Sequence, residues 1–433
     1  MRLNHLSLTN FRNYSRLELP LTDRLTVIQG ANAQGKTNLL EAIHLLATGR
    51  SPRAVAEREM VNWLALDSAL PYARLAADTG ENKETQKLEL VIELARNGGT
   101  NGPTIRKQVR INDTPKRALD LVGRLRVVLF LPEDISLVAG APGERRRYLD
   151  IALCQIAPAY CRALGEYNRI ITQRNALLKR LREEGGDTRQ LHFWNSHAAE
   201  QGSLLIHRRT QAVRQLDRLA AERHLDLTGG HEKLDLAYLP GLDLGPARHW
   251  PYHGDATDPS NPGHGPAGLR TAALSAGRVP AARQRLAEEQ AAYGALSREE
   301  VRERFLVGLH AIQGREIAAG TSLLGPHRDD MSFSVDGHDL RTFGSRGQQR
   351  TAALALKLAE VQLMQSETGE NPLLLLDDVM SELDSQRRHT LLAALDGVAQ
   401  AIVTTTDWND FSPELLAHSR KLHIEQGLLE PAG

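Results

Sequence analysis

"GANAQGKTNLLEAI", residues 30–43, is the stretch on which the reading of the fold turns. From Gly30 to Thr37 it fits G-x-x-x-x-G-K-[ST], with the apolar run RLTVIQ before it and TNLLEAIHLLAT after it. A short strand, a glycine-rich loop and a helix in that order make a P-loop. Glycines let backbone N–H groups turn inward as an anion nest, and the helix N-terminus adds partial positive charge. Gly30, Ala31, Asn32, Ala33, Gln34, Gly35, Lys36 and Thr37 are therefore expected to cradle the phosphates of a nucleoside triphosphate. Lys36 would bridge the β- and γ-phosphates, and the Thr37 hydroxyl would ligate Mg²⁺.

Far downstream, PLLLLDDVMSELD (residues 372–384) supplies a second nucleotide motif. Four leucines read as a strand buried on both faces. It ends in Asp377 and Asp378, at the strand end where α/β folds bind ligands. Asp377 is expected to hold Mg²⁺, directly or through water. Asp378 is placed to orient or deprotonate the attacking water. A third motif, GSRGQQR (residues 344–350), opens a long alanine-rich helix. Ser345 suits its N-cap, and Gly347 permits close approach of a ligand. This is another anion-binding helix start, which the nucleotide on the chain's own P-loop does not require.

The chain's 433 residues suffice for two or three domains, with 41 % hydrophobic and 24 % charged residues. Only 4 % are aromatic, so Leu, Val, Ile and Ala must build most of the core. Lys plus Arg and Asp plus Glu balance at 53 each, which argues against a polyanion-binding tail but leaves room for a local basic face. The two cysteines, Cys154 and Cys161, lie seven positions apart in one helical run. That spacing is about 10 Å along a helix axis, beyond disulfide reach, and they read as reduced core residues of a cytoplasmic protein. The opening carries no secretory pattern, and no apolar run approaches about 18 residues, so no membrane association is expected.

Strand patterns fill residues 1–30 and recur in LELVIELARNGGTNGPTIRKQVRIND, a hairpin, and in LRVVLFLPED. From Gly143 the periodicity becomes helical, with Leu149, Leu153, Ile156, Tyr160, Leu164 and Tyr167 at helical spacing and Pro158 bending or dividing the run. Residues 242–280 are rich in Pro, Gly and His and read as a loose surface insertion. Strand signals return at Thr321. The expected organisation is an α/β nucleotide-binding head built from both termini, 1–135 and 316–433, with a mainly helical second lobe at 136–315.

SRGQQ resembles the signature loop of ABC-type ATPases, and Ser381–Asp384 (SELD) resembles the D-loop that follows their second acidic motif. In that class the signature reaches the γ-phosphate bound by a second subunit, which gives the extra helix start a purpose. Aspartate at 378 is one methylene shorter than the glutamate common there, so slow turnover is expected. The middling helical insert, without sustained heptads, is similar to that of the RecF family of bacterial recombination mediators. LTNFRNY, TGRSPR, PED running into ERRRYLD, GPHRDD, FGSRGQQR, LLLLDDVMSELD and TTTD all carry that resemblance, which covers most of the chain. It implies binding of ATP and Mg²⁺, an ATP-dependent homodimer and a weak, DNA-stimulated ATPase used as a switch. It also implies binding to double-stranded and gapped DNA, and work with RecR and, indirectly, RecO and RecA.

Between Arg106 and Arg126 stand seven cations against two acids, and Arg145, Arg146 and Arg147 open the helical lobe. Arg106, Lys107, Arg110, Lys116, Arg117, Arg145, Arg146 and Arg147 are the candidate phosphate contacts, which would give salt-dependent binding with little sequence preference. No helix-turn-helix, zinc-ligand spacing or aromatic stacking platform points to base reading. GPHRDD (residues 325–330) would line the nucleotide site or lock the returning strand to the head, salt-bridged structure being the commoner use of such clusters. The rival readings are an ABC-type subunit of a transport or nuclease-associated system. Transport would call for a tandem head or membrane partner, whereas one P-loop is present; a nuclease partner would call for further clustered carboxylates.

Overall fold

The computed structural model describes residues 2–54, 56–81, 84–95, 104–242, 288 and 291–432. The NGGTNGP turn and all of the 242–280 insertion except Leu242 lie outside these residues. The chain divides into two compact units, one made of Met1–Glu133 with Glu360–Gly433, the other of Asp134–Ala359.

The first unit holds two six-stranded sheets. One is antiparallel, in the order β2-β1-β4-β5-β6-β7, from β1 (Leu3–Phe11), β2 (Tyr14–Pro20), β4 (Tyr72–Glu81), β5 (Glu84–Ala95), β6 (Thr104–Ile111) and β7 (Thr114–Lys116). Its strands alternate, so Leu6, Leu8, Leu75, Leu88, Leu90, Ile92 and Val109 share one buried face. The other face carries Ser7, Arg74, Glu89 and Gln108. The second sheet runs β15-β14-β3-β13-β12-β8. Its members are β3 (Leu25–Gln29), β8 (Val127–Phe130), β12 (Leu373–Leu376), β13 (Ala401–Thr405), β14 (Arg420–Glu425) and β15 (Leu428–Pro431). All its pairings are parallel except that of β14 with β15.

This order sets up the site. Only β13 separates β3 from β12, and the three run parallel, so the loops after Gln29 and Leu376 leave the same edge. LTVI and LLLL are buried throughout because neighbours cover both sides of these strands. Helix α1 (Lys36–Thr48) packs against strands of both sheets, which explains why most of its side chains are buried, with Leu39, Leu40, Ile43, Leu45 and Leu46 in the core beside the polar Glu41, His44 and Thr48. Gly49, at φ 69°, ends it in the left-handed cap that glycine tolerates best.

The second unit is led by α2 (Pro142–Ile156), α3 (Pro158–Glu184), α4 (Gln190–Thr228) and α5 (Arg298–Ala311). Pro158 occupies the first turn of α3, where its missing N–H costs nothing, and so divides the helical run as expected. The division puts Cys154 and Cys161 in different helices; both are buried, and neither is in a disulfide. A three-stranded sheet of β9 (Leu234–Leu239), β10 (Asp330–Val335) and β11 (His338–Asp339) completes it. β9 carries no expectation from sequence, and the strand signalled from Thr321 begins only at Asp330. Because β10 pairs with β9 from Asp330↔Leu239 to Val335↔Leu234, residues 316–359 group with the helical unit. The division at Ala359/Glu360 falls inside α6 (Arg346–Thr368), not at residue 316.

GPHRDD is part of a buried polar centre in this second unit. Arg209, 2 % exposed, donates to Asp150 at 2.7 Å, to the Tyr160 hydroxyl at 2.9 Å and to the Pro326 carbonyl at 2.6 Å. Asp329 accepts from the Tyr238 hydroxyl and from the Gly241 N–H. Arg145 grips Asp330 with Nε and Nη2 at 2.6 and 3.0 Å. Every charge in this centre has a partner, the condition under which burying it is tolerable. These ion pairs tie the motif and β10 to helices of this same unit, whereas the sequence reading expects a lock onto the head.

Candidate functional site

The P-loop is held in shape from both ends of the chain. Asn13 Nδ2 and the Gly427 N–H donate to the Gln34 carbonyl at 3.0 and 3.1 Å, and the Gln426 N–H donates to the Gln34 side chain at 2.6 Å. The Tyr14 hydroxyl donates to the Gly35 carbonyl at 2.9 Å, and burial raises its pKa, which keeps it a donor. Two glycines are required by geometry. A Cβ on Gly30 would sit 2.5 Å from the Ile424 carbonyl oxygen, and Gly35 has φ 116° with a Cβ position 2.5 Å from Asn13. Ala33, without that freedom, sits at φ 66°. Ala31, Asn32 and Ala33 are exposed at the mouth of the loop.

The two acidic residues meet this loop. Lys36, 4 % exposed, donates to the Gly30 carbonyl at 2.6 Å and lies 3.3 Å from Asp378 Oδ2. Asp377 is raised above the usual carboxylate range by burial, while hydrogen bonds from Thr37 and Thr404 and the nearby Arg53 charge pull it back. Asp378 adopts φ 49°, and among the described residues its buried Oδ1 finds no hydrogen-bond partner. Thr37 and Asp377 offer hard oxygen donors of the kind Mg²⁺ takes, and phosphate oxygens of a nucleotide would complete its shell. No group of three His, Cys, Asp or Glu that could hold a metal exists among the described residues.

Ser345 caps α6 in a reciprocal box: its hydroxyl accepts from the Gln348 N–H at 3.2 Å, and the Gln348 side chain accepts from the Ser345 N–H at 3.0 Å. Ser345, Arg346 and Gly347 are exposed, so the helix start faces solvent in this unit. After β12, Asp384 caps the next helix through the Arg387 N–H at 2.9 Å.

The basic residues fare unevenly. Arg106, Arg110, Lys116, Arg117 and Arg147 are exposed. β5 sets acids beside some of them: Arg106 pairs in register with Glu93, and Arg110 lies 3.7 Å from Glu89. Arg117 is bound to Asp120, and half-buried Lys107 to Glu57. Arg145 has to be withdrawn as a phosphate contact. It is 2 % exposed and committed to Asp330, and freeing it would strand a buried carboxylate. Arg146 is half-buried and donates to the Asp329 carbonyl at 2.7 Å. The charge run shows no sign of this, because helical spacing turns Arg145 inward and Arg147 outward. Thr404, Asn13, Gln426 and Arg53 are the site residues that motif reading leaves unassigned.

Comparison with known proteins agrees with this geometry. The family pattern described as RecF/RecN/SMC N terminal domain matches residues 2–414. The DNA replication and repair protein RecF of Chloroflexus aurantiacus is 41 % identical over 437 residues, covering 99 % of each chain. The chain belongs to the RecF family. RecF of Bacillus cereus is 34 % identical to this RecF-family chain over 433 residues, covering 99 % of it and 98 % of the relative. A solved structure, "recombination mediator protein RecF-ATP in RecFOR pathway", superposes with a TM-score of 0.77 at 29 % identity, covering 100 % of this chain and 97 % of that one. The ABC-type head with an inserted helical lobe is thus the family's fold. No helix among the described residues is long and apolar enough to cross a membrane.

Proposed function

We propose that this chain is an ATP-dependent DNA-binding protein of replication and recombinational repair. The observation that carries the reading is the meeting of two distant motifs, Lys36 with Asp378 and Thr37 with Asp377. The relative solved with ATP supports the choice of nucleotide. Lys36 would neutralise phosphate charge, Thr37 and Asp377 would hold Mg²⁺, and Asp378 would orient the water that attacks the γ-phosphate. Mg²⁺ would supply charge stabilisation at the phosphates when bound.

The exposed start of α6, with Ser345 and Gly347, would meet the γ-phosphate held by a second copy and close a homodimer. Exposed cations at Arg106, Arg110, Lys116, Arg117 and Arg147 would neutralise duplex phosphates at gaps and junctions, without reading bases. Slow hydrolysis would then open the dimer. The naming of relatives for the RecFOR pathway extends the proposal to RecR as partner, and through it to RecO and the loading of RecA on single strands.

Sedimentation with and without ATP, and with and without gapped duplex DNA, tests the whole proposal. The expected result is a mass that doubles with ATP and a further shift with DNA. A monomer at saturating ATP would remove the shared-site reading, and membrane recruitment or metal-dependent DNA cleavage would favour a rival ATPase.

A further inference from the structure

We propose that Thr404 is a positioning residue that keeps the metal-holding and water-orienting acids in their separate jobs; this rests on the nucleotide reading above. Thr404 lies in β13, fully buried, between the strand that leads into the P-loop and the strand that ends in Asp377. The Asp378 N–H donates to its hydroxyl at 3.0 Å, and that hydroxyl lies 3.0 Å from Asp377 Oδ1. The Leu376 carbonyl is farther, at 3.3 Å. A hydroxyl has one proton and two lone pairs. With a lone pair taken by the Asp378 N–H, the single proton goes to the nearer, charged acceptor, the Asp377 carboxylate.

One oxygen thus ties the side chain of one acid to the backbone of the next. Asp378 has need of the tie, because it sits at φ 49°, a conformation only surrounding structure sustains. Held there, its Oδ2 faces Lys36 while Oδ1 has no partner among the described residues, and Asp377 keeps its bond with Thr37. The neighbouring threonines do other work. The Thr405 hydroxyl lies 2.7 Å from the Asp410 carboxylate and 2.9 Å from the Asp407 carbonyl, and the Thr406 carbonyl accepts from Gln29. In the run of three threonines only Thr404 joins the two acids among the bonds described.

The test compares Thr404→Val, which keeps the shape and removes the hydroxyl, with Thr404→Ser, which keeps the hydroxyl. Mn²⁺ binding is followed by electron paramagnetic resonance in the presence of a non-hydrolysable ATP analogue, and analogue binding without metal is measured by fluorescence. Groups that orient a metal's ligands are typically worth 10–100-fold in metal affinity. T404V is therefore expected to lose about tenfold in Mn²⁺ affinity and to lose kcat rather than nucleotide affinity. Metal-free analogue binding should stay unchanged, and T404S should restore Mn²⁺ affinity. Melting curves check the fold; Thr404→Cys, with a weak donor, takes the place of T404V if the latter does not fold. T404V with unaltered Mn²⁺ affinity and kcat overturns the inference and leaves the nucleotide reading standing. A wild-type protein that binds no analogue overturns both.

Discussion

Arg145→Met should unfold the helical unit more readily while leaving DNA binding alone. Arg145 holds Asp330 through two bonds at 2.6 and 3.0 Å and also donates to the Gly140 carbonyl at 2.8 Å. The two side chains are 3 % and 9 % exposed, so water cannot replace the guanidinium once it is gone. Deleting one partner of such a pair costs about 3–5 kcal/mol, mostly the price of a stranded buried charge. At about 2–4 °C per kcal/mol for a unit of this size, melting should fall on the order of 10 °C. Asp330→Leu added to Arg145→Met should recover most of it, since an apolar pair often replaces a buried ion pair without loss. The melting transition is read by circular dichroism, and duplex affinity is read against salt in the same preparations. Each arginine on a phosphate contributes a slope of about 0.9 in log K against log salt. Arg145→Met should leave that slope unchanged. A variant that melts like wild type and binds DNA with a slope lower by about one would refute the burial argument.

Lys36→Ala should abolish hydrolysis and weaken nucleotide binding with the melting profile kept; unchanged turnover would remove the P-loop assignment. Asp378→Asn should cut hydrolysis by about 10²–10⁴-fold, the usual worth of a positioned base, and trap a nucleotide-bound dimer visible by light scattering. Ser345→Arg should do the reverse, binding ATP but failing to dimerise, and a dimer in its presence would mean that each chain completes its own site. Burial lowers His327 to about 4, with Tyr167 on its Nδ1 at 2.8 Å. The unfolded chain therefore binds the extra proton first, and wild-type stability should decline as pH falls from about 6.5 through 4. His327→Gln should show a flatter decline across that window in urea titrations; parallel curves for the two proteins would exclude His327 as the source.

What was legible in the sequence was local. RLTVIQ, the glycine loop and TNLLEAIHLLAT are adjacent in the chain, and so are the four leucines and the paired aspartates. Each motif carries its own strand, turn and helix signals, and β3, α1 and β12 form where those signals lie. Pairing across long separations left no such trace. HEKLDLAYLP gives a short strand at Leu234–Leu239 whose partner, Asp330–Val335, lies beyond a long intervening segment. Without β9, sequence assigns residues 316–359 to the head, whereas contacts group them with the helical unit. The arginines show the same limit at the level of side chains. Arg145, Arg146 and Arg147 are equivalent as composition, but two residues of helix, about 200°, turn the first toward Asp330 and the third toward solvent. Thr404 is visible only as one of three threonines until β13 is seen between β3 and β12.

The clamp on Gln34 sets an order on the protein's birth. A ribosome delivers Gly30–Thr37 early, yet β13, β14 and the Gln426–Gly427 turn that hold the loop emerge after the whole helical unit has been made. Until then β3 lacks both its sheet neighbours, and the glycines that open the nest have nothing to keep them so. The Asn13 half of the clamp waits beside the loop through this interval. The inserted unit, contiguous in sequence, can reach its fold first, as domains generally do during synthesis. A chain released before residue 426 would therefore carry a folded helical unit and a P-loop unable to grip phosphate. Nucleotide binding is thus expected only of chains that extend past that turn, which truncations ending on either side of residue 426, read by analogue binding, would check.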